Sequence, residues 1–272
     1  MSQVLIDGRE ARHIDYSDRG LQYGDGLFET ISCRAGEPRW LELHLQRLRG
    51  GCERLRLPFE DYALLRAEIG ALAQGAEPCL VKVVVTRGPA RQRGYAPSGD
   101  ERPTRIVSRH DWPPATAAAT DGFRLGLSPV RLGINPRLAG LKHLNRLEQV
   151  LAQQQRDAAR EDEVLMLSSA GQVIGGSMSN VFFSDQDGLY TPALNECGVA
   201  GVMRRVVLQA AGRLGLAVRE RAVSVAELDG VREAFVTNVR WGLQSVRQLA
   251  GRELPGDALA RSLWQGIDAA HP

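Results

Sequence analysis

Three groups of residues in this chain have types and spacings that could do chemistry. Lys142 stands in Gly140-Leu-Lys-His-Leu-Asn-Arg-Leu-Glu148, between an irregular arginine- and proline-bearing segment and a long polar stretch. Leu144, Leu147 and Leu151 follow it at spacings of three and four, which predicts one face of a helix. Lys142 is then expected at or just before the first turn. Helix donors and the dipole make an ammonium less favourable there, so such a lysine loses its proton more easily and can act as an amine nucleophile or base. Gly198-Val-Ala-Gly-Val-Met-Arg204 is a glycine-bearing loop running into a helix start, where backbone amides make an anion site suited to phosphate. Arg47, in His44-Leu-Gln-Arg-Leu48, lies beside the apolar stripe of another helix, and its planar fork suits oxyanions. Each signal alone is weak: most lysines and arginines are solvated, and many helices begin after glycine.

The elements that must position these groups follow from periodicity. Residues 4–6 and 27–33 read as strands ahead of Asp7-Gly8 and Ala35-Gly36 turns, and residues 15–26 between them are too rich in glycine and aspartate for a regular element. Leu41, Leu45, Leu48, Cys52 and Leu55 mark a helix, and a second follows Pro58. Strands are expected at 79–86, 105–109, 123–127, 163–167, 179–183, 217–223 and 233–237, with helices from the Lys142 junction to about residue 160, from Gly201, and briefly at 225–228. Tight turns between neighbouring strands imply antiparallel pairs, so the fold class is α+β rather than a doubly wound parallel sheet. Two prolines and a run of small residues mark 111–122 as a connector between an N-terminal α/β domain, 1–110, and a C-terminal one, 123–272, carrying Lys142. The 272 residues are enough for two modest cores. A net charge of +2 points away from a nucleic-acid or membrane surface. The N-terminus does not read as a signal peptide, and four scattered cysteines fit a reducing cytoplasm. Neither cysteines nor histidines show metal-ligand spacing, so no metal is expected.

A lysine, an amide nest and an arginine together describe a site for pyridoxal 5'-phosphate, whose aldehyde a lysine holds as an imine. Over nearly its whole length the chain resembles the fold-type IV pyridoxal-phosphate enzymes, the group of branched-chain and D-amino-acid aminotransferases and aminodeoxychorismate lyases. The segments that carry the resemblance are residues 18–30, 44–48, 87–88 with 93–95, 127–132, 135–151, 179–182 and 198–204. The stretch around Lys142 is most similar to the lyases. The resemblance implies a two-domain homodimer acting on a small molecule, 4-amino-4-deoxychorismate, to give 4-aminobenzoate, the folate precursor, and pyruvate. An aminotransferase of the same fold is the alternative, and a cofactor-binding protein without activity a more distant one. It also implies that Lys142 carries the cofactor and is catalytic, and that Arg47 and the backbone of Val202 and Met203 bind its phosphate. Asn238 falls on a loop reaching the phosphate or substrate side. Thr30 replaces the glycine usual in the aminotransferases, where a hydroxyl suits a lyase. Arg93 and Tyr95, with Arg240 as a weaker candidate, are placed for carboxylate recognition in this or the neighbouring subunit's site. One position departs from the pattern: Gly175 stands where the group usually has a glutamate that pairs with the cofactor's pyridine nitrogen.

Overall fold

The computed structural model describes residues 3–113, 121–159 and 161–270, in two compact units. One comprises Met1–Pro114 with Leu141–Asn145, the other Ala115–Gly140 with Arg146–Pro272. Most of the connector expected at 111–122 lies outside the described residues.

The first unit is built on a six-stranded antiparallel sheet, ordered β2-β1-β6-β5-β3-β4, of β1 (Val4–Ile6), β2 (Arg9–Glu10), β3 (Gly26–Arg34), β4 (Glu37–Pro38), β5 (Cys79–Thr86) and β6 (Thr104–Asp111). Between β2 and β3 lies a short helix, α1 (Arg19–Tyr23), where the composition predicts none. The Asp18 side chain accepts from Gly20 N to start it, and Gly24 at φ 65° ends it, so the aspartate and glycine act as caps rather than breakers. Helix α2 (Leu41–Leu55) lies against β3 and α3 (Tyr62–Ala73) against β4, β5 and β6; Leu45, Leu48, Cys52, Leu65, Ile69 and Leu72 are buried on them, as are Leu27, Ile31 and Cys33 on β3. Each such leucine contributes roughly 1.5–3 kcal/mol.

Leu141–Asn145, which carries Lys142, clusters with this first unit although sequence order places it in the C-terminal half. Its backbone runs beside the start of β3: Phe28 N donates to Lys142 O at 3.0 Å and Leu144 N to Gly26 O at 3.1 Å. Lys142 is therefore not in the first turn of a helix. The helix, α4 (Leu147–Ala159), begins only at Leu147, because the backbone groups before it are engaged with β3. Leu147 and Leu151 are exposed, and α4 buries Ala152 instead. The dipole argument for an activated Lys142 does not apply.

The second unit holds a nine-stranded mixed sheet, ordered β12-β11-β10-β13-β14-β7-β8-β9 with β15 on β14. Its strands are β7 (Phe123–Leu132), β8 (Glu163–Ser168), β9 (Val173–Gly176), β10 (Asn180–Asp185), β11 (Gly188–Pro192), β12 (Val218–Arg221), β13 (Glu233–Asn238), β14 (Gly242–Leu249) and β15 (Arg252–Glu253). β7 runs parallel to both β8 and β14, and β11 to β12; the other pairs are antiparallel. Phe123, Leu125, Leu165, Val181, Phe183, Tyr190 and Val236 form much of the core of this unit. Helices α5 (Val202–Arg213) and α6 (Ala258–Ala270) complete it. The α+β class holds.

Candidate active site

In the first unit, β3 presents different chemistry on its two sides because side chains alternate along a strand. Phe28 and Thr30 share one side. The Lys142 Nζ lies over the Phe28 ring, 4.1 Å from its centroid, and Lys82 Nζ approaches the same ring at 5.7 Å. Lys82 is also the cross-strand partner of Thr30. Lys142, Thr30 and Lys82 thus occupy one side of the sheet, a cationic face over an aromatic floor.

Glu29 points to the other side, where α2 supplies His44 and Arg47 one turn apart. The buried Glu29 carboxylate accepts from Arg47 Nε at 2.7 Å and His44 Nδ1 at 2.6 Å, and Arg47 Nη2 closes a bidentate pair. Burial alone would raise the Glu29 carboxyl; the Arg47 charge and the His44 contact outweigh it and bring the pKa down to about 2. Burial pushes His44 the other way, below its ordinary value, aided by the positive charges of Arg47 and Lys142. A neutral His44 with its proton on Nδ1 is the tautomer this contact assigns, and its buried Nε2 has no hydrogen-bond partner. Arg47 is therefore a guanidinium whose orientation Glu29 sets.

Arg93 and Tyr95 lie on the loop after β5. Arg19, itself buried, donates to Gly94 O at 3.1 Å and Tyr95 O at 2.6 Å, while its Nε pairs with Asp25. The Tyr95 ring packs edge-on against Tyr23 at 5.5 Å yet is 86% exposed, and Arg93 is exposed too. The loop backbone is pinned and its two candidate side chains face outward.

In the second unit, Val202 and Met203 open α5 after Gly201, an N-cap in extended conformation with no side-chain capping bond. Their amides meet the requirement for an anion site at a helix start. Asn180 holds this start in place: its Nδ2 donates to Val199 O at 2.9 Å and its Oδ1 accepts from Gly201 N at 3.1 Å. A Cβ on Gly201 would lie 2.1 Å from that Oδ1, so any side chain there would have to displace the Asn180 amide. Gly140 pairs with the same loop through Gly140 N to Gly198 O and Ala200 N to Gly140 O.

Asn238 has a structural task that the sequence does not disclose. Its Oδ1 accepts from Arg240 N at 3.0 Å and Trp241 N at 2.8 Å, building the β13–β14 turn, and its Nδ2 donates to Met178 O at 3.3 Å. Arg240 is half-buried; burial and the nearby Arg156 charge lower its pKa.

Gly175 sits on β9 opposite Met166, and a Cβ there would lie 3.0 Å from Ser179 O. The one buried carboxylate among the described residues of this unit is Glu163, at 0% exposure. Its oxygens accept from Val164 N (2.9 Å), Ser177 N (3.1 Å), Met178 N (3.2 Å), Ser179 Oγ (2.9 Å) and Ser177 Oγ. Glu163 is thus committed to the turn before Asn180 and does not stand in for a carboxylate at 175.

Sequence reasoning passed over Glu29 and Glu163. A signal existed for both. Each is an acid set among apolar residues of a strand: Glu29 between Leu27 and Ile31 at period two, and Glu163 at the head of the fully buried β8. An acid in such a place must find partners.

Each unit taken by itself offers groups of a kind pyridoxal 5'-phosphate could use: in the first, an amine at Lys142 on one side of β3 and a guanidinium at Arg47 on the other; in the second, helix-start amides without a side-chain cap at Val202 and Met203. Gly175 offers nothing to the pyridine nitrogen. Comparison with known proteins agrees. Residues 26–249 match the family described as amino-transferase class IV. The chain is 33% identical over 249 residues to an aminodeoxychorismate lyase of Vibrio harveyi, covering 91% of this chain and 92% of that one. It superimposes on the crystal structure of 4-amino-4-deoxychorismate lyase from Pseudomonas aeruginosa with a TM-score of 0.92 at 42% identity, covering 98% and 99% of the two chains. It is 27% identical over 295 residues to a bifunctional aminodeoxychorismate lyase / D-amino acid transaminase of Mycobacterium tuberculosis, covering 98% and 96%. The chain belongs to the aminotransferase class IV family of pyridoxal 5'-phosphate enzymes.

Proposed function

We propose that this enzyme is a lyase that converts 4-amino-4-deoxychorismate to 4-aminobenzoate and pyruvate. The observation that carries the reading is the single face of β3 on which Lys142, over Phe28, shares its side with Thr30. Similarity to the two lyases, at 33% and 42% identity, supports it. Pyridoxal phosphate, when bound, supplies an electron sink for the charge left by proton removal. Lys142 then has two tasks. Its amine takes the proton from the amine-bearing ring carbon and returns one to the methylene of the enolpyruvyl group, so the C–O bond breaks, pyruvate leaves and the ring becomes aromatic. One base can do both because both protons lie on one side of the substrate. The Thr30 hydroxyl positions that amine. The resemblance assigns the phosphate to Arg47, oriented by Glu29, and to the amides of Val202 and Met203, and it assigns substrate carboxylates to the outward-facing Arg93 and Tyr95, in this or the neighbouring subunit's site. The Lys82 charge on the same face draws the dicarboxylate substrate in.

The test is an absorption spectrum of the purified protein with 4-amino-4-deoxychorismate, pyruvate being followed by a coupled assay. A visible cofactor band and stoichiometric pyruvate with no keto-acid requirement support the lyase. Lys142→Ala should remove the band and reduce turnover by more than about a thousandfold; a variant that keeps most of its activity refutes the assignment. The similarity to a bifunctional enzyme favours a second reading, a transaminase side activity, which amino-acid and keto-acid pairs would reveal. We also infer a homodimer, since Leu147, Val150 and Leu151 leave an apolar stripe exposed on α4. A monomer in size-exclusion chromatography with light scattering would remove that inference.

A further inference from the structure

We propose that Asn180 is a positioning residue for the cofactor's phosphate. The inference rests on the reading that the phosphate meets the start of α5, and it adds the device that shapes this start. The Asn180 amide is 7% exposed and clamps two backbone groups of one short loop, Val199 O through Nδ2 and Gly201 N through Oδ1. By taking the Gly201 amide, Asn180 fixes the direction in which the next two, Val202 and Met203, emerge. Gly201 meets Asn180 so closely that a side chain there would displace the Asn180 amide.

Asn180 is itself held from behind. It is the first residue of β10, directly after the turn at residues 177–179, whose amides and hydroxyls converge on Glu163. A Cβ on Gly176 would lie 2.1 Å from Ser179 Oγ and 2.8 Å from Glu163 Oε2, so that turn also has little room to shift. On the far side, Thr237 is the cross-strand partner of Asn180 in β13. The backbone of Asn180 is therefore held by two separate attachments, the preceding turn and the pairing with β13, neither of which needs a ligand. This is the preorganisation that anion sites made of neutral dipoles need, because a misaimed N–H loses most of its electrostatic value. Neither partner of the clamp carries a charge, so the clamp leaves the helix-end field to the phosphate.

Apoprotein titrated with pyridoxal 5'-phosphate and, separately, with pyridoxal tests this. The two share the aldehyde that meets Lys142 and differ in the phosphate. Asn180→Ala should weaken pyridoxal phosphate binding by about tenfold and leave pyridoxal binding nearly unchanged. Competition by inorganic phosphate against pyridoxal phosphate should weaken in parallel. Gly201→Ala strikes the same contact from the other side, and serves if Asn180→Ala does not fold; the same loss of phosphate selectivity is expected. A general structural role would weaken both ligands alike, and a variant keeping the wild-type ratio of the two affinities overturns the proposal. Wild-type protein that binds pyridoxal phosphate no more tightly than pyridoxal overturns the reading beneath it, and the proposal with it.

Discussion

Glu29 and Glu163 are both buried strand glutamates, one in each unit, and they solve the cost of a buried carboxylate in different ways. Glu29 meets a guanidinium and an imidazole on a neighbouring helix. Glu163 meets only neutral donors, three backbone amides and two serine hydroxyls, from its own strand and from the turn between β9 and β10. The difference shows in what each carboxylate sets in place. A charge-paired acid fixes a cation, and so aims Arg47. An acid saturated by amides and hydroxyls fixes a loop, and so sets the course of the chain into Asn180. The first arrangement depends on Coulomb energy in a poorly screened site, the second on the number and direction of hydrogen bonds.

The largest effect should come from Glu29. Glu29→Gln leaves the Arg47 guanidinium without its countercharge and should destabilise the fold by about 3 kcal/mol at pH 7, read from urea unfolding. Acid should erase that difference. The folded-state pKa of about 2 lies below the ordinary 4.5, so the stabilising contribution is present above 4.5 and lost as pH falls through about 2. Wild type should lose about 3 kcal/mol relative to the variant across that window. A gap between the two proteins that stays constant from pH 7 to pH 2.5 would show that charge pairing is not what holds Glu29. Glu163→Gln should cost less, about 1–3 kcal/mol at pH 7. The new amide group must face either a backbone N–H, which cannot reverse its role, or a serine hydroxyl, which can. If Glu163→Gln proves more damaging than Glu29→Gln, the contrast between the two glutamates is wrong. Ser179→Ala removes one donor of five and should have the smallest effect, about 0.5–1.5 kcal/mol in the same measurement. A larger loss would mean that the Glu163 donors act as one cooperative unit rather than as separable bonds.

Most regular elements were legible in the residues. Strands such as β5, with Val81, Val83 and Val85 buried in alternation, and helices such as α2, with apolar residues three and four apart, carry their own period. Less legible were β9, β11 and β15, which are short and owe their existence to a neighbour's edge. Of the candidate site, Lys142, Arg47 and the stretch 198–204 stood out by residue type, though each signal alone was weak and the resemblance to a family assigned their roles. The setting of Lys142 was not legible in the same way. The spacing of Leu144, Leu147 and Leu151 is helical, yet the strap before Leu147 pairs with β3, a partner more than a hundred residues away in sequence.

What the sequence determined by itself is therefore the chemical inventory and the local periods, because side-chain type and near-neighbour spacing are properties of the chain alone. Only the tertiary structure decided that Lys142 lies over Phe28, that Glu29 rather than solvent meets Arg47, that Asn238 builds a turn, and that Glu163 serves the turn before Asn180. Each of those is a contact between residues distant in sequence or a choice among competing hydrogen-bond partners. Such choices are made by which buried polar groups can be satisfied together in one packed arrangement.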